Sequence, residues 1–88
     1  MKINLDAIGI TSMGCHSCAT LKQSIEEHFN HHGIAITFND VVYEFDPDHA
    51  TEICEEYGLD DLPSYFINGV VFKVGFTKED VEKALRSN

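Results

Sequence analysis

Apolar residues recur along this chain with two different periods, and the changes of period mark its elements. From Leu5 to Thr11 the chain is rich in isoleucine and stops at Ser12-Met13-Gly14, which reads as a first strand. From Cys15 the spacing becomes three and four. Cys18, Leu21, Ile25 and Phe29 then lie on one face of an amphipathic helix, which should end near Asn30-His31-His32-Gly33. Two strand-like runs follow, Ile34 to Phe38 and Val41 to Phe45, on either side of Asn39-Asp40. They form either one long irregular strand or two short ones, and Val41 to Phe45 is the expected central strand. Asp46-Pro47 opens a second helix, with the aspartate as cap and the proline pre-organised for the first helical position. Ala50, Ile53, Cys54 and Tyr57 share its face, and Gly58 closes it.

The last third of the chain is a hairpin and a helix. Ser64 to Ile67 and Val70 to Val74 read as strands, and Asn68-Gly69 between them is a strong turn signal. Thr77-Lys78-Glu79-Asp80 resembles a capping box with aspartate in its fourth position, and Val81, Ala84 and Leu85 form the apolar face of a final helix. The resulting order is β-α-β-α-β-β-α. Alternation at the start implies a parallel crossover and the hairpin adds an antiparallel edge. The expected fold class is α/β, a four-stranded mixed sheet with helices on both faces.

Composition narrows the classes of function. The chain has 88 residues, 43% of them hydrophobic and 24% charged, which fits one small globular domain over residues 1–88. Its net charge is −9, and from Glu44 to Asp61 eight acidic residues occur with no Lys or Arg among them. Such a field repels a phosphate backbone, so nucleic acid is not an expected partner. The acidic stretch serves either solubility or attraction of a basic partner protein. The N-terminal residues are too polar for a signal-peptide core, and no apolar run approaches the roughly 20 residues of a membrane helix. The expected setting is a cytoplasmic monomer with no membrane contact.

Three cysteines, at 15, 18 and 54, are too few for a secreted disulfide scaffold and suit a reducing compartment with one redox or metal pair. Cys15-His16-Ser17-Cys18 is a C-x-x-C placed where a strand gives way to a helix. Free N–H groups and the helix dipole favour negative charge there, so a thiol ionises more readily. Cys15 lies at the exposed edge of the turn and Cys18 on the core-facing side. This makes Cys15 the attacking nucleophile and Cys18 the resolving thiol of a disulfide exchange. His16 either lends positive charge to the Cys15 thiolate or is an ordinary exposed histidine. Ser17 either donates to a sulfur or is a small helix-compatible residue. Cys54, on the inner face of its helix, reads as an inert buried thiol.

Three blocks together resemble the thioredoxin superfamily, in its short, glutaredoxin-sized form. They are Ile8 to Cys18, Glu56 to Gly69 and Val74 to Val81, in the family's order and across nearly the whole chain. The resemblance implies a thioredoxin-like fold and a protein-disulfide reductase without a bound cofactor or metal. It implies a cis peptide bond before Pro63 beside the cysteine pair, and backbone groups of Leu62 offered to an extended substrate. Its partners would be client proteins with disulfides and an upstream reductant, either thioredoxin reductase or the glutathione system. Gly14 stands where thioredoxins carry tryptophan, and Asp61-Leu62 where glutaredoxins carry Thr-Val. Gly9 stands where some thioredoxins keep a buried acid.

Two metal readings compete. Met13-x-Cys15-x-x-Cys18 also matches the Cu(I) site of small ferredoxin-like metallochaperones, for which soft thiolates are suited. The hairpin and third helix have no place in that two-helix fold. A zinc site would need His28, His31 or His32 to join the cysteines. These histidines follow two to four turns later along the same helix, and the better reading is interaction with the dipole at its C-terminus.

Overall fold

The computed structural model describes residues 3–86. Its elements are β1 (Ile3–Thr11), α1 (His16–Asn30), β2 (Ile34–Val42), α2 (Pro47–Tyr57), β3 (Ser64–Ile67), β4 (Val70–Lys73) and α3 (Lys78–Arg86). They form one four-stranded sheet in the order β2-β1-β3-β4. β1 and β2 run parallel from Ile3↔Ile34 to Thr11↔Val42. β1 pairs antiparallel with β3, and β3 with β4. This is the expected α/β mixed sheet and the expected order of elements.

The sheet separates two apolar layers. On one face Leu21, Ile25 and Phe29 of α1 and Val81 and Ala84 of α3 pack on Ala7, Ile34, Tyr65, Ile67 and Phe72. On the other, Ala50 and Ile53 of α2 pack with Ile10 and Leu59, flanked by Ile8, Val41, Tyr57 and Phe66. Alternation along β1 produces both: Ala7 faces one layer, Ile8 and Ile10 the other.

Local chemistry sets the boundaries. The Asp46 carboxylate accepts from the His49 N–H at 3.2 Å, capping α2 ahead of Pro47, and Gly58 ends that helix in the left-handed region at φ 70°. At the hairpin, Asn68 and Gly69 both have positive φ, 49° and 91°, as a type I′ turn requires. The Asp80 carboxylate accepts from the Thr77 N–H at 3.0 Å, the reach-back half of a capping box.

Three expectations need correction. Ile34 to Val42 is a single strand, and it lies at the sheet edge rather than the centre; Tyr43 to Phe45 lie beyond its end. The polar step Asn39-Asp40 does not break it, because Asp40 falls on the α1 side and is ion-paired there with Lys22. The first helix ends at Asn30, within the expected stretch; His31 caps it in helical geometry with its N–H on the Glu27 carbonyl, and His32 belongs to the turn that follows rather than to helical spacing. Cys54 is half-buried at the border of the α2 layer, not enclosed within it.

Candidate active site

β1 delivers the chain to the end of the sheet, and Ser12, Met13 and Gly14 turn it into α1. Gly14 is at φ +68°, a conformation that favours glycine. Cys15 follows as the N-cap, with extended backbone at φ −82° and ψ 108°. Its sulfur occupies the place a serine or aspartate oxygen holds in other caps. Cys15 Sγ accepts a hydrogen bond from the Cys18 N–H at 3.1 Å. The same N–H and the helix dipole would stabilise a thiolate at that atom.

Cys15 and Cys18 are joined as a disulfide, with their Cα atoms 5.5 Å apart. The two sulfurs differ in access. Cys15 is half-buried, whereas Cys18 is only 9% exposed and lies on the α1 face that carries Leu21 and Ile25. His16 and Ser17 are exposed in the first helical turn. With Thr20, Leu21, Val74 and Phe76 they line a groove of about 470 Å³.

Pro63 reaches the same end of the sheet from β3. Ser64 pairs with Ile10, so the preceding proline falls where β1 runs out toward Cys15. The Leu62–Pro63 peptide bond is cis. Pro63 is buried and Leu62 is 49% exposed. This loop is anchored twice: the Ser64 hydroxyl donates to the Asp61 carbonyl at 2.6 Å, and the Lys73 ammonium meets the Asp61 carboxylate at 3.2 Å. The Asp61 contact raises the Lys73 pKa, with a smaller effect from Asp60. A second, smaller groove of about 140 Å³ is lined by Asp61, Leu62, Pro63, Lys73 and Val74. Val74 borders both grooves and is 63% exposed.

Two polar features escaped the sequence. The first lies between α1 and the sheet. Gly9 is in register with Asp40 on one side and Tyr65 on the other. Without a side chain at Gly9, the Tyr65 ring lies across β1 toward Asp40, which in turn pairs with Lys22. Tyr65 is therefore fully buried and lines neither groove. Burial first, and then the Asp40 carboxylate, push its phenol well above the ordinary tyrosine pKa. The two groups stop short of a well-formed hydrogen bond: Tyr65 Oη and Asp40 Oδ1 are both buried and unpartnered. The second feature is Glu44, just beyond β2, whose carboxylate accepts from the Ser12 hydroxyl and from the Met13 N–H, each at 2.8 Å. No spacing rule links a residue to partners 31 and 32 positions away.

Met13, the first residue of the copper pattern, is 61% exposed. Among the described residues no three or more His, Cys, Asp or Glu side chains gather as a metal site. His28 is occupied elsewhere, its Nδ1 lying 2.8 Å from the Ser24 carbonyl oxygen and its ring against Phe76. Among the described residues no helix is long and apolar enough to cross a membrane.

A four-stranded mixed sheet with a cysteine pair at the start of its first helix defines a thioredoxin-like redox module. A family model described as a thioredoxin domain matches residues 6–86, and the chain belongs to that family. No curated protein matches it. A solved structure described as "Structure of a malarial protein" superposes with a TM-score of 0.54 over 94% of both chains at 9% identity, a likeness of fold alone.

Proposed function

We propose that the protein is a thiol–disulfide oxidoreductase that reduces disulfides of client proteins, with Cys15 attacking and Cys18 resolving. The observation that carries this reading is the asymmetry of the pair. Cys15 is half-buried and its Sγ accepts the Cys18 N–H at a helix N-terminus, while Cys18 is buried inside the first turn. The Cys15 thiolate attacks one sulfur of a client disulfide. A Cys15–client bond forms, the client S–S bond breaks, and the second client cysteine leaves as a thiolate that takes up a proton. Cys18 then gives up its proton and attacks the Cys15 sulfur. The Cys15–Cys18 bond forms and the client's first cysteine leaves, so two electrons have passed to the client.

The two grooves that meet at Val74 support an extended client segment running past Cys15, with Leu62 presenting backbone groups to it and His16 and Ser17 bordering the other side. The oxidised protein is returned to the dithiol by thioredoxin reductase or by the glutathione system, and it works as a monomer in a reducing compartment such as the cytoplasm, without a bound cofactor. The test is turnover of a protein disulfide with dithiothreitol as the terminal reductant. Wild type accelerates the reaction and Cys15→Ser does not. Equal rates for the two proteins contradict the reading.

A further inference from the structure

We infer that Glu44 is a positioning residue for the Cys15–Cys18 pair, a clamp that fixes the loop from which Cys15 is presented. The inference rests on the redox reading of the pair.

The loop Ser12-Met13-Gly14 has little else to hold it in place. Met13 and Gly14 are exposed, and nothing lies within 4 Å of where a Gly14 side chain would begin. Glu44 grips this loop with both carboxylate oxygens, one on the Ser12 hydroxyl and one on the Met13 main chain. Hydrogen bonds to an ionised acceptor are stronger than neutral ones, and two donors on one carboxylate define an orientation as well as a distance.

The clamp is itself rigidly mounted. The Tyr43 N–H donates to the Thr11 carbonyl at 2.9 Å, extending the contact between the β1 and β2 ends by one residue. The N–H groups of Phe45 and Asp46 both donate to the Val42 carbonyl, at 3.0 and 3.2 Å. Asp46 then caps α2. Glu44 thus sits on a short turn fixed at one end by the sheet and at the other by a helix. Two residues after Met13, the chain places Cys15 Sγ against the Cys18 N–H. Order imposed at Met13 is therefore passed toward the sulfur through a single intervening residue, Gly14.

Two consequences follow. A fixed loop raises the effective concentration of one thiol toward the other and so favours the closed disulfide. It also keeps the Cys15 sulfur on the N–H that stabilises its thiolate. The Glu44 charge acts in the opposite sense on that thiolate, which allows clamp and charge to be separated. The carboxylate itself is held below the ordinary glutamate pKa, first by the Met13 N–H and then by the Ser12 hydroxyl. This depressed pKa stabilises the folded clamp above the unfolded glutamate pKa, and the contribution is lost as pH falls through the folded value.

The experiment compares the full-length wild type with Ser12→Ala, Glu44→Gln and Glu44→Ala. Each is equilibrated in graded dithiothreitol redox buffers, and the oxidised fraction of Cys15–Cys18 is read by alkylation and mass spectrometry. The pH dependence of Cys15 alkylation is measured in parallel. Glu44→Ala should shift the equilibrium toward the dithiol by about threefold to tenfold, the range for losing exposed charge-assisted bonds. Glu44→Gln, which keeps an acceptor but no charge, should fall between wild type and Glu44→Ala. Ser12→Ala should show a smaller shift in the same direction. The alkylation midpoint of Cys15 should rise or hold in Glu44→Ala. A redox equilibrium unchanged in both Glu44→Ala and Ser12→Ala overturns the clamp, even if both variants melt lower. So does a Cys15 midpoint that falls in Glu44→Ala with Ser12→Ala unchanged, because charge alone would then be acting. A wild type that forms no reversible disulfide overturns the redox reading as well, which distinguishes the two failures.

Discussion

Alanine at position 9 should be among the costliest small substitutions in this protein, and the reason is steric. Gly9 lies in the middle of β1, paired on both sides, with the Tyr65 ring lying over it. A Cβ there would overlap the ring edge and come within 2.8 Å of the Ser64 carbonyl oxygen. Neither obstacle yields easily. The carbonyl belongs to the neighbouring strand, and the ring is fully buried and set edge-on against Phe38 at 5.1 Å. Overpacking of this kind costs about 1–3 kcal/mol, sometimes more, while the stiffer unfolded chain of an alanine variant returns about 0.4–1 kcal/mol. The net loss should be about 1–2 kcal/mol, which for a domain of this size lowers Tm by roughly 4–16 °C. Thermal unfolding followed by circular dichroism measures it. The cause is checked in a Tyr65→Leu background, where the ring edge is gone. Gly9→Ala should cost less there, giving a coupling of about 1 kcal/mol between the two sites. A Gly9→Ala Tm within a few degrees of wild type, or strictly additive variants, would refute the steric argument.

Three further outcomes follow from the structure. Asp46→Ala removes the α2 cap and should cost about 1 kcal/mol, or roughly 4–8 °C in Tm, with the C-x-x-C chemistry intact. Tyr65 should give no phenolate absorbance in the native protein. Its pKa is raised on folding, so its contribution to stability is complete below the unfolded tyrosine value near 10 and declines as pH rises beyond it; an ultraviolet titration in which Tyr65→Phe loses a component below the alkaline unfolding transition would contradict this. In the reduced protein near neutral pH, a limiting alkylating reagent should label Cys15 before Cys18 and Cys54, and preferential labelling of Cys18 would reverse the assigned roles.

Much of this was legible in the sequence because local signals and burial agree. The spacing of Cys18, Leu21, Ile25 and Phe29 marked the inner face of α1, and all four are buried. Asp46-Pro47 and Asn68-Gly69 marked a cap and a turn whose geometry needs no distant partner. The cysteine pair was legible for the same reason, since three residues at the start of a helix fix its spacing. Where tertiary contacts decide, the sequence was silent. Asp40 looks like a strand breaker until Lys22 comes over it from α1, and Gly9 looks like an empty place until Tyr65 fills it from β3. Glu44 is one acid among eight in its stretch, and only the folding of the β2–α2 turn against the loop after β1 singles it out.

The central claim is that Cys15 forms the bond to the client and Cys18 releases it. Its most direct test is to mix reduced Cys18→Ser and reduced Cys15→Ser, separately, with a disulfide-bonded protein substrate, quench with acid and weigh the products by intact-mass spectrometry. Cys18→Ser should accumulate a one-to-one mixed disulfide, mapped by peptide digestion to Cys15, while Cys15→Ser should remain unmodified. Accumulation of the adduct on Cys18 in Cys15→Ser, with none on Cys15 in Cys18→Ser, would contradict the account.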